Sequence, residues 1–296
     1  MTPKSSLSMP LDPKRLSRLQ GEVVVIKYGG NTLRDGSETS DEDPILDQVV
    51  ELVELGIRPV LVHGGGPVIQ RLLKIFGIES QFVFGHRKTD LEAMRVVELA
   101  LRGEVNGLLV KRLNRRGVQA VGLSGKDASM VKVKRRIHRQ EHDGEITEVD
   151  LGYVGDVVRM DPELIEILLK NGYLPVIAPI SQGEDGEDYN VNADLFAGHL
   201  AGALKAAAFV AVTDVDGLMK DLDDPSSHID VADAETIRSE IGRSIQGGMI
   251  PKVEACLAAL SEGVGEACIV SGLKPGRLVA QLVTDNGSGT TINEHP

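Results

Sequence analysis

The stretch Val23–Asn31, VVVIKYGGN, decides how the rest of the chain is read. Val23, Val24, Val25 and Ile26 are β-branched in succession, which is the composition of a strand buried on both faces and hence of a central strand in a parallel sheet. Lys27 ends the apolar run, so its ammonium group is pinned at the carboxyl end of a buried strand. Gly29 and Gly30 follow and let bare backbone N–H groups approach a ligand closely. A fixed cation beside exposed amides suits an anion, above all phosphate. Taken by itself, the stretch also fits a strand that merely surfaces at a lysine before a turn.

Working outward, Arg58–His63 (RPVLVH) reads as a second buried strand that runs directly into Gly64, Gly65 and Gly66. Pro67 then opens a helix closed by Gly77, so flexible amides and a positive helix end meet at one point, a second anion cradle. The spacing is not the G-x-G-x-x-G dinucleotide fingerprint. Nor is Gly122–Asp127 a Walker A loop, since Ala120 stands where its first glycine belongs and Asp127 follows Gly125-Lys126. Between the two cradles, Asp43 as N-cap and Pro44 at the first helical position predict a helix through Leu55, closed by Gly56.

Further along, Gln81–Phe84 predicts a short strand, and Gly85-His86-Arg87-Lys88 a basic turn that leaves Arg87 exposed. Thr89 with Glu92 predicts a capping box for a helix carrying Met94, Val97 and Leu101 on one face. A second helix over Glu104–Arg115, strands at Val118–Leu123 and Met130–Lys134, and a solvated hairpin or loop over Arg135–Asp150 are expected next. Asp161-Pro162 caps another helix, and the strand Leu174–Ile180 leads into an acidic loop. Tyr189–Asp194, YNVNAD, opens the following helix with three polar side chains in five positions, more than a cap requires. Ala207–Val215 is a fourth buried strand, with Asp214 and the Asp216-Gly217 turn at its carboxyl end, where open α/β sheets bind ligands. Gly247–Lys252 turns into a helix whose first turn holds Lys252, a misfit with the helix dipole that an anion would relieve. Glu266–Ser271 and Gly289–Ile292 are expected as closing strands.

Composition narrows the function classes. A net charge of −12 and an absence of Trp argue against nucleic acid, which needs a basic face and stacking platforms. Cys256 and Cys268 have no disulfide or metal-ligand spacing and are expected as small buried apolar residues. No apolar run reaches the roughly 18 residues of a membrane helix, so a soluble cytoplasmic protein is expected. Met1–Gln20 is polar, holds three prolines and is expected as an arm, helical at most over KRLSRLQ.

Strands and helices alternate throughout, which predicts an α/β fold, a three-layer αβα sandwich around a mainly parallel open sheet. Two glycine loops, two isolated lysines and an aspartate at strand ends are the inventory of a phosphoryl-transfer site that works by positioning and charge neutralisation. VVVIKYGGN, LVHGGGP, GHRKTD, YNVNAD, VTDVDGL and GGMIPKVEAC, in this order and spacing, resemble the amino-acid kinase family, from about Gly21 to Ile292. The resemblance implies two lobes: 21–205 for acceptor binding and dimerisation after the arm at 1–20, and 206–296 for the nucleotide. It implies transfer of the γ-phosphoryl of ATP, with Mg²⁺, to a side-chain carboxylate, giving an acyl phosphate. Lys27 and Lys252 would flank the transferring group, and Asp194 would hold both lysines through salt bridges. A unit charge about 4 Å away at an effective dielectric of about 20 contributes roughly 4 kcal/mol before desolvation, so charge is the expected main term. Gly64, Gly65, Arg87 and Asn190 would bind the acceptor. Gly29, Gly30, Gly66, Thr213, Asp214, Gly217, Leu218, Gly248 and Met249 would bind the nucleotide and its phosphates. Mg²⁺ would be held by nucleotide oxygens and water, with no protein metal site. The expected acceptor is N-acetyl-L-glutamate, in arginine biosynthesis, and the expected assembly a homodimer or higher homo-oligomer. The alternatives are an acetylated or carrier-linked 2-aminoadipate as acceptor, or a nucleotide-binding regulator without catalysis.

Overall fold

A computed structural model of the chain describes residues 10–29, 42–83, 86–142, 145–219, 224, 227–285 and 287–295. The chain opens with helix α1 (Pro13–Leu19), strand β1 (Val23–Tyr28), helix α2 (Pro44–Glu54), strand β2 (Arg58–His63) and helix α3 (Gly66–Ile75). A short hairpin of β3 (Gln81–Val83) and β4 (His86–Lys88) precedes α4 (Leu91–Glu98), which passes through a π-helical stretch, Leu99–Val105, into α5 (Asn106–Arg115). Strand β5 (Ala120–Ser124), the long hairpin of β6 (Val131–His142) and β7 (Glu145–Met160), and helix α6 (Glu163–Lys170) follow. Next come β8 (Leu174–Ala178), β9 (Ile180–Gly183), β10 (Asp188–Val191) and helix α7 (Ala193–Ala203). The last third holds β11 (Ala208–Thr213), the pair β12 (Leu218–Met219) and β13 (His228–Ile229), β14 (Val231–Asp233), α8 (Ala234–Glu240), α9 (Ile250–Ser261), β15 (Glu266–Ser271), α10 (Arg277–Val283) and β16 (Thr290–Asn293).

Eight strands form one sheet in the order β14-β16-β15-β11-β1-β2-β8-β5. Every pairing in it is parallel except β15 with β16. The expected open, mainly parallel sheet is therefore present, with β1 at its centre and all six of its residues buried. Alternation along β1 assigns its two faces. Val24, Ile26 and Tyr28 enter a core with Leu46, Val49 and Leu52 of α2 and Leu278 and Leu282 of α10. Val23 and Val25 enter the opposite core with Phe196 and Leu200 of α7 and Val253 and Cys256 of α9. Helices thus cover both faces, and each fully buried large apolar side chain contributes about 1.5–3 kcal/mol. Lys27 shares the face of Val23 and Val25, which aims it at α7 and α9.

Several local expectations hold. Asp43 caps α2 by accepting from the Leu46 N–H at 3.2 Å, with Pro44 at the helix start. Asn192 caps α7 by accepting from the N–H groups of Asp194 and Leu195 at 2.9 and 3.2 Å. Cys256 and Cys268 are both fully buried, and burial pushes the Cys268 thiol up to about 12 and the Cys256 thiol well above its ordinary value. Among the described residues, no helix is long and apolar enough to cross a membrane.

Other expectations are corrected. Within the basic turn, His86–Lys88 is a strand paired antiparallel to β3; Gly85 lies outside the described residues. The helix behind it is capped by Asp90, which accepts from the Ala93 N–H at 2.8 Å, while the Thr89 hydroxyl donates to the Arg87 carbonyl. The acidic loop after Leu174–Ile180 is largely β9 and β10, which close a four-stranded barrel with β6 and β7. The N-terminal arm is, from residue 10 onward, part of the body. Leu19 is fully buried, the Asp12 N–H donates to the Val283 carbonyl, and Arg15 and Arg18 pair with the buried Glu266 at 3.5 and 2.9 Å. Helix α10 was not expected at all. It is capped from α2, where the Gln48 Oε1 accepts from the Leu278 N–H at 2.8 Å.

Candidate active site

At the carboxyl ends of β1, β2 and β11 a cleft is lined by Lys27, Gly29, Gly64, Gly65, Gly66, Pro67, Asn192, Ala193, Asp194, Val212, Thr213, Asp214, Lys252 and Leu273. Lys27 comes from the carboxyl end of the central strand and Asp194 from the first turn of α7. Their side chains pair at 3.0 Å, with 8 % and 9 % of each exposed. Burial of two charges is tolerable here because each neutralises the other and the α7 N-terminus favours the carboxylate.

Lys252 faces this pair from the first turn of α9. The expectation that Asp194 pairs with both lysines is met by Lys27, whereas the Lys252 ammonium donates to the Gly248 carbonyl at 3.0 Å. Burial lowers the pKa of Lys252 from its ordinary value and the charge on Lys27 acts in the same direction, while Asp194 and Asp214 oppose both. Helix α9 has Met249 at its N-cap position with no side-chain cap; the Ile250 N–H donates to the Gly247 carbonyl, and Lys252, in the first turn, lines the cleft. Helices α7 and α9, which carry Asp194 and Lys252, lie unusually close. A Cβ on Gly198 would sit 2.5 Å from the Ala255 carbonyl oxygen, so only glycine fits one turn beyond Asp194.

The glycine loop after β2 divides its amides. Gly64 gives its N–H to the Tyr28 carbonyl at 3.1 Å, continuing the β1–β2 ladder, so this amide is committed to the sheet. Gly65 and Gly66 begin α3, where N–H groups have no intrahelical acceptor. Thr213 is buried and its hydroxyl donates to Asp214 at 3.1 Å.

Not every expected residue lines this cleft. Arg87 lies in the β3–β4 hairpin, donates to Gln70 at 3.1 Å and to Ser80, and has its pKa lowered by burial. Asn190 sits in β10 between β7 and β9, two residues short of the cleft-lining Asn192. Gly217 approaches Thr290 and His228 so closely that a Cβ would lie 2.6 Å from each, and Leu218 donates its N–H to the Thr290 hydroxyl at 2.8 Å. Gly248 and Met249 form the 3₁₀ turn before α9. Gly30 lies outside the described residues. Asn192 and Leu273 were missed. The NVNAD motif had drawn attention to two asparagines, and Asn192 is the one that reaches the cleft.

A mainly parallel sheet with a buried lysine–aspartate pair at its central strand end, a second cation opposite and a glycine loop beside them is an arrangement suited to an anionic group such as phosphate. Residues 22–271 match the amino acid kinase family, and the chain belongs to that family. It is 44% identical over 280 residues to the acetylglutamate kinase of Desulfitobacterium hafniense, covering 94% of this chain and 93% of that one. It is 45% identical over 278 residues to the acetylglutamate kinase of Geobacter metallireducens, covering 94% of each. Among solved structures, N-acetylglutamate synthase from Neisseria gonorrhoeae, complexed with coenzyme A and N-acetyl-glutamate, shares the fold with a TM-score of 0.78 at 23% identity. That match spans 96% of this chain and 62% of that one.

Proposed function

We propose that this protein is an ATP-dependent kinase that phosphorylates the side-chain carboxylate of N-acetyl-L-glutamate, the activity named for its relatives, in arginine biosynthesis. The observation that carries the chemistry is the pairing of Lys27 with Asp194 at 3.0 Å opposite Lys252 in one cleft. A carboxylate oxygen of the acceptor attacks the γ-phosphorus, the bond from that phosphorus to the β,γ-bridging oxygen breaks, and ADP leaves with the electron pair. The nucleophile is already ionised, so no general base is needed, and Asp194 serves by holding Lys27. The two ammonium groups and the amides of Gly65 and Gly66 offset the charge that spreads over the phosphoryl oxygens. Arg87 and Asn190 are the proposed contacts to the acceptor's α-carboxylate. Gly29, Gly30, Thr213, Asp214, Gly217, Leu218, Gly248 and Met249 are the proposed nucleotide contacts.

Mg²⁺ fits this site as a passenger of the nucleotide. The buried carboxylate of Asp194 is already paired with Lys27, so the nucleotide's own oxygens are the ligands proposed for the ion. The ion would be held by phosphate oxygens and water and would supply neutralisation of the β- and γ-phosphates. The proposed division of labour gives 21–205 to the acceptor and a homodimer interface and 206–296 to the nucleotide. Both parts share one sheet, since β1 pairs with β11. A cytoplasmic, homo-oligomeric enzyme is the reading consistent with that role.

The test is hydroxylamine trapping of the acyl phosphate with Mg-ATP and N-acetyl-L-glutamate, N-acetyl-L-2-aminoadipate or free glutamate. Preference for N-acetyl-L-glutamate is expected. Preference for the aminoadipate keeps the mechanism and moves the acceptor, and no hydroxamate with any acceptor despite ATP binding overturns the assignment.

A further inference from the structure

His63 is the last residue of β2, fully buried, and takes no part in the chemistry described above. Its ring is bonded at both nitrogens: Nδ1 lies 2.9 Å from the Gly64 carbonyl oxygen and Nε2 lies 3.0 Å from the Asn106 Nδ2. That second bond fixes every proton. Asn106 Nδ2 also lies 2.9 Å from the Val176 carbonyl oxygen, which can only accept, so this atom is the amide nitrogen and donates to both partners. Nε2 of His63 must then be the acceptor, and Nδ1 carries the proton that it gives to Gly64. Burial, only partly opposed by the bond to Gly64, lowers the His63 pKa to about 4, so the ring is neutral across the physiological range.

The Gly64 carbonyl is thereby turned inward. All peptide bonds among the described residues are trans, and across a trans peptide the carbonyl and the following N–H point in opposite directions. The Gly65 N–H therefore points away from His63, toward the cleft that Gly65 lines. The other side of Gly65 is closed by the π-helical stretch. A Cβ on Gly65 would lie 2.5 Å from Leu101 Cδ2 and 3.2 Å from Val105 Cγ2, and Asn106 is the residue immediately after that stretch. The same helical segment thus supports the glycine and supplies the amide that orients the imidazole. Strand β5 makes room for it, since a Cβ on Gly122 would sit 2.0 Å from Asn106 Oδ1.

We propose that His63 and Asn106 are positioning residues for phosphoryl transfer: Asn106 locks His63 as the Nδ1-protonated imidazole, which holds the Gly64–Gly65 peptide so that the Gly65 N–H meets the phosphoryl group in transit. The inference rests on reading the cleft as a phosphoryl-transfer site.

The discriminating pair is His63→Asn and His63→Gln. Asparagine places an amide donor where Nδ1 was and keeps the bond to Gly64; glutamine places its polar end where Nε2 was, keeps Asn106 and loses Gly64. In His63→Gln, kcat is expected to fall on the order of tenfold or more with both KM values within about threefold, and in His63→Asn to stay within about threefold of the parent. Two readouts are independent of the acceptor. Histidine ¹⁵N spectra of the unliganded protein are expected to show the Nδ1–H tautomer at position 63. Calorimetry with MgADP and tetrafluoroaluminate, a stand-in for the transferring phosphoryl group, is expected to show weaker binding in His63→Gln than in His63→Asn. An Nε2–H tautomer, or equal affinity of the two variants for the mimic, overturns the proposal, and these measurements decide it whether or not N-acetyl-L-glutamate is the acceptor.

Discussion

The two lysines of the cleft are held in opposite ways. Lys27 stands on the central strand, almost wholly buried, in contact with a carboxylate at 3.0 Å. Lys252 stands on a helix start, its ammonium on the Gly248 carbonyl oxygen, with its pKa lowered by burial against the opposing charge of Asp194. One cation is neutralised within the protein. The other is incompletely compensated and gains most when an anion arrives. A site with both can bind phosphoryl groups without being either rigidly saturated or self-repelling when empty, because the fixed charge is balanced and the adjustable one is not.

The largest effect that could break this contrast is on turnover. Lys27→Ala is expected to lower kcat by 10²–10³ or more with ATP binding retained, on the order found for removing a principal transition-state contact. A loss under tenfold would remove Lys27 from its role. Stability separates the lysines next. Lys27→Ala leaves the buried Asp194 unpaired and is expected to cost about 3 kcal/mol, whereas Lys252→Ala is expected to stay within about 0.5 kcal/mol. Denaturant melts of the two ligand-free variants check this, and equal losses would mean that Lys252 is also structurally paired. Gly198→Ala sharpens the geometry, since the added methyl meets the Ala255 carbonyl and must separate α7 from α9. It is expected to cost about 1–3 kcal/mol and to lower kcat more than either KM, because Lys252 moves relative to Asp194. The smallest effect is on pH dependence. A lysine with a lowered pKa loses its charge below the ordinary value of 10.5, so activity should be full below that lowered value and fall as pH rises through it. Lys252→Arg should move this alkaline limb upward, and an unmoved limb would assign it to another group.

Much of this was legible in the chain. The run Val23–Ile26 sets the sheet's centre because four β-branched residues tolerate burial on both faces, and Lys27, which alone also fits an ordinary strand end, pointed to the cleft only in combination with the glycine loops after Tyr28 and His63. Proline after Asp43 and asparagine before Ala193 gave helix starts whose caps are local. What escaped was decided at long range. A strand at Met130–Lys134 was expected, but not the barrel that β6 and β7 close with β9 and β10, because β9 and β10 flank the acidic stretch Glu184–Asp188, which reads as a loop. Helix α10 spans seven residues and owes its capping to Gln48, 230 positions away, so nothing local marks it. The π-helical stretch has no composition of its own; it is visible only through what it packs against. His63 was visible as a polar residue ending an apolar strand, but its meaning depends on Asn106, 43 positions later.

The two buried thiols give this protein a clock that needs no label. Cys256 lies on α9, three residues from Val253 in the core and four from Lys252; Cys268 lies on β15 beside β11. Both are fully sequestered with raised pKa values, so a disulfide reagent in excess meets neither the accessible sulfur nor the thiolate it requires. The rate at which each is consumed therefore counts excursions in which α9 or the sheet opens, and the ratio of the two rates tells helix detachment from global unfolding. A ligand that pulls Lys252 inward would slow the Cys256 clock first.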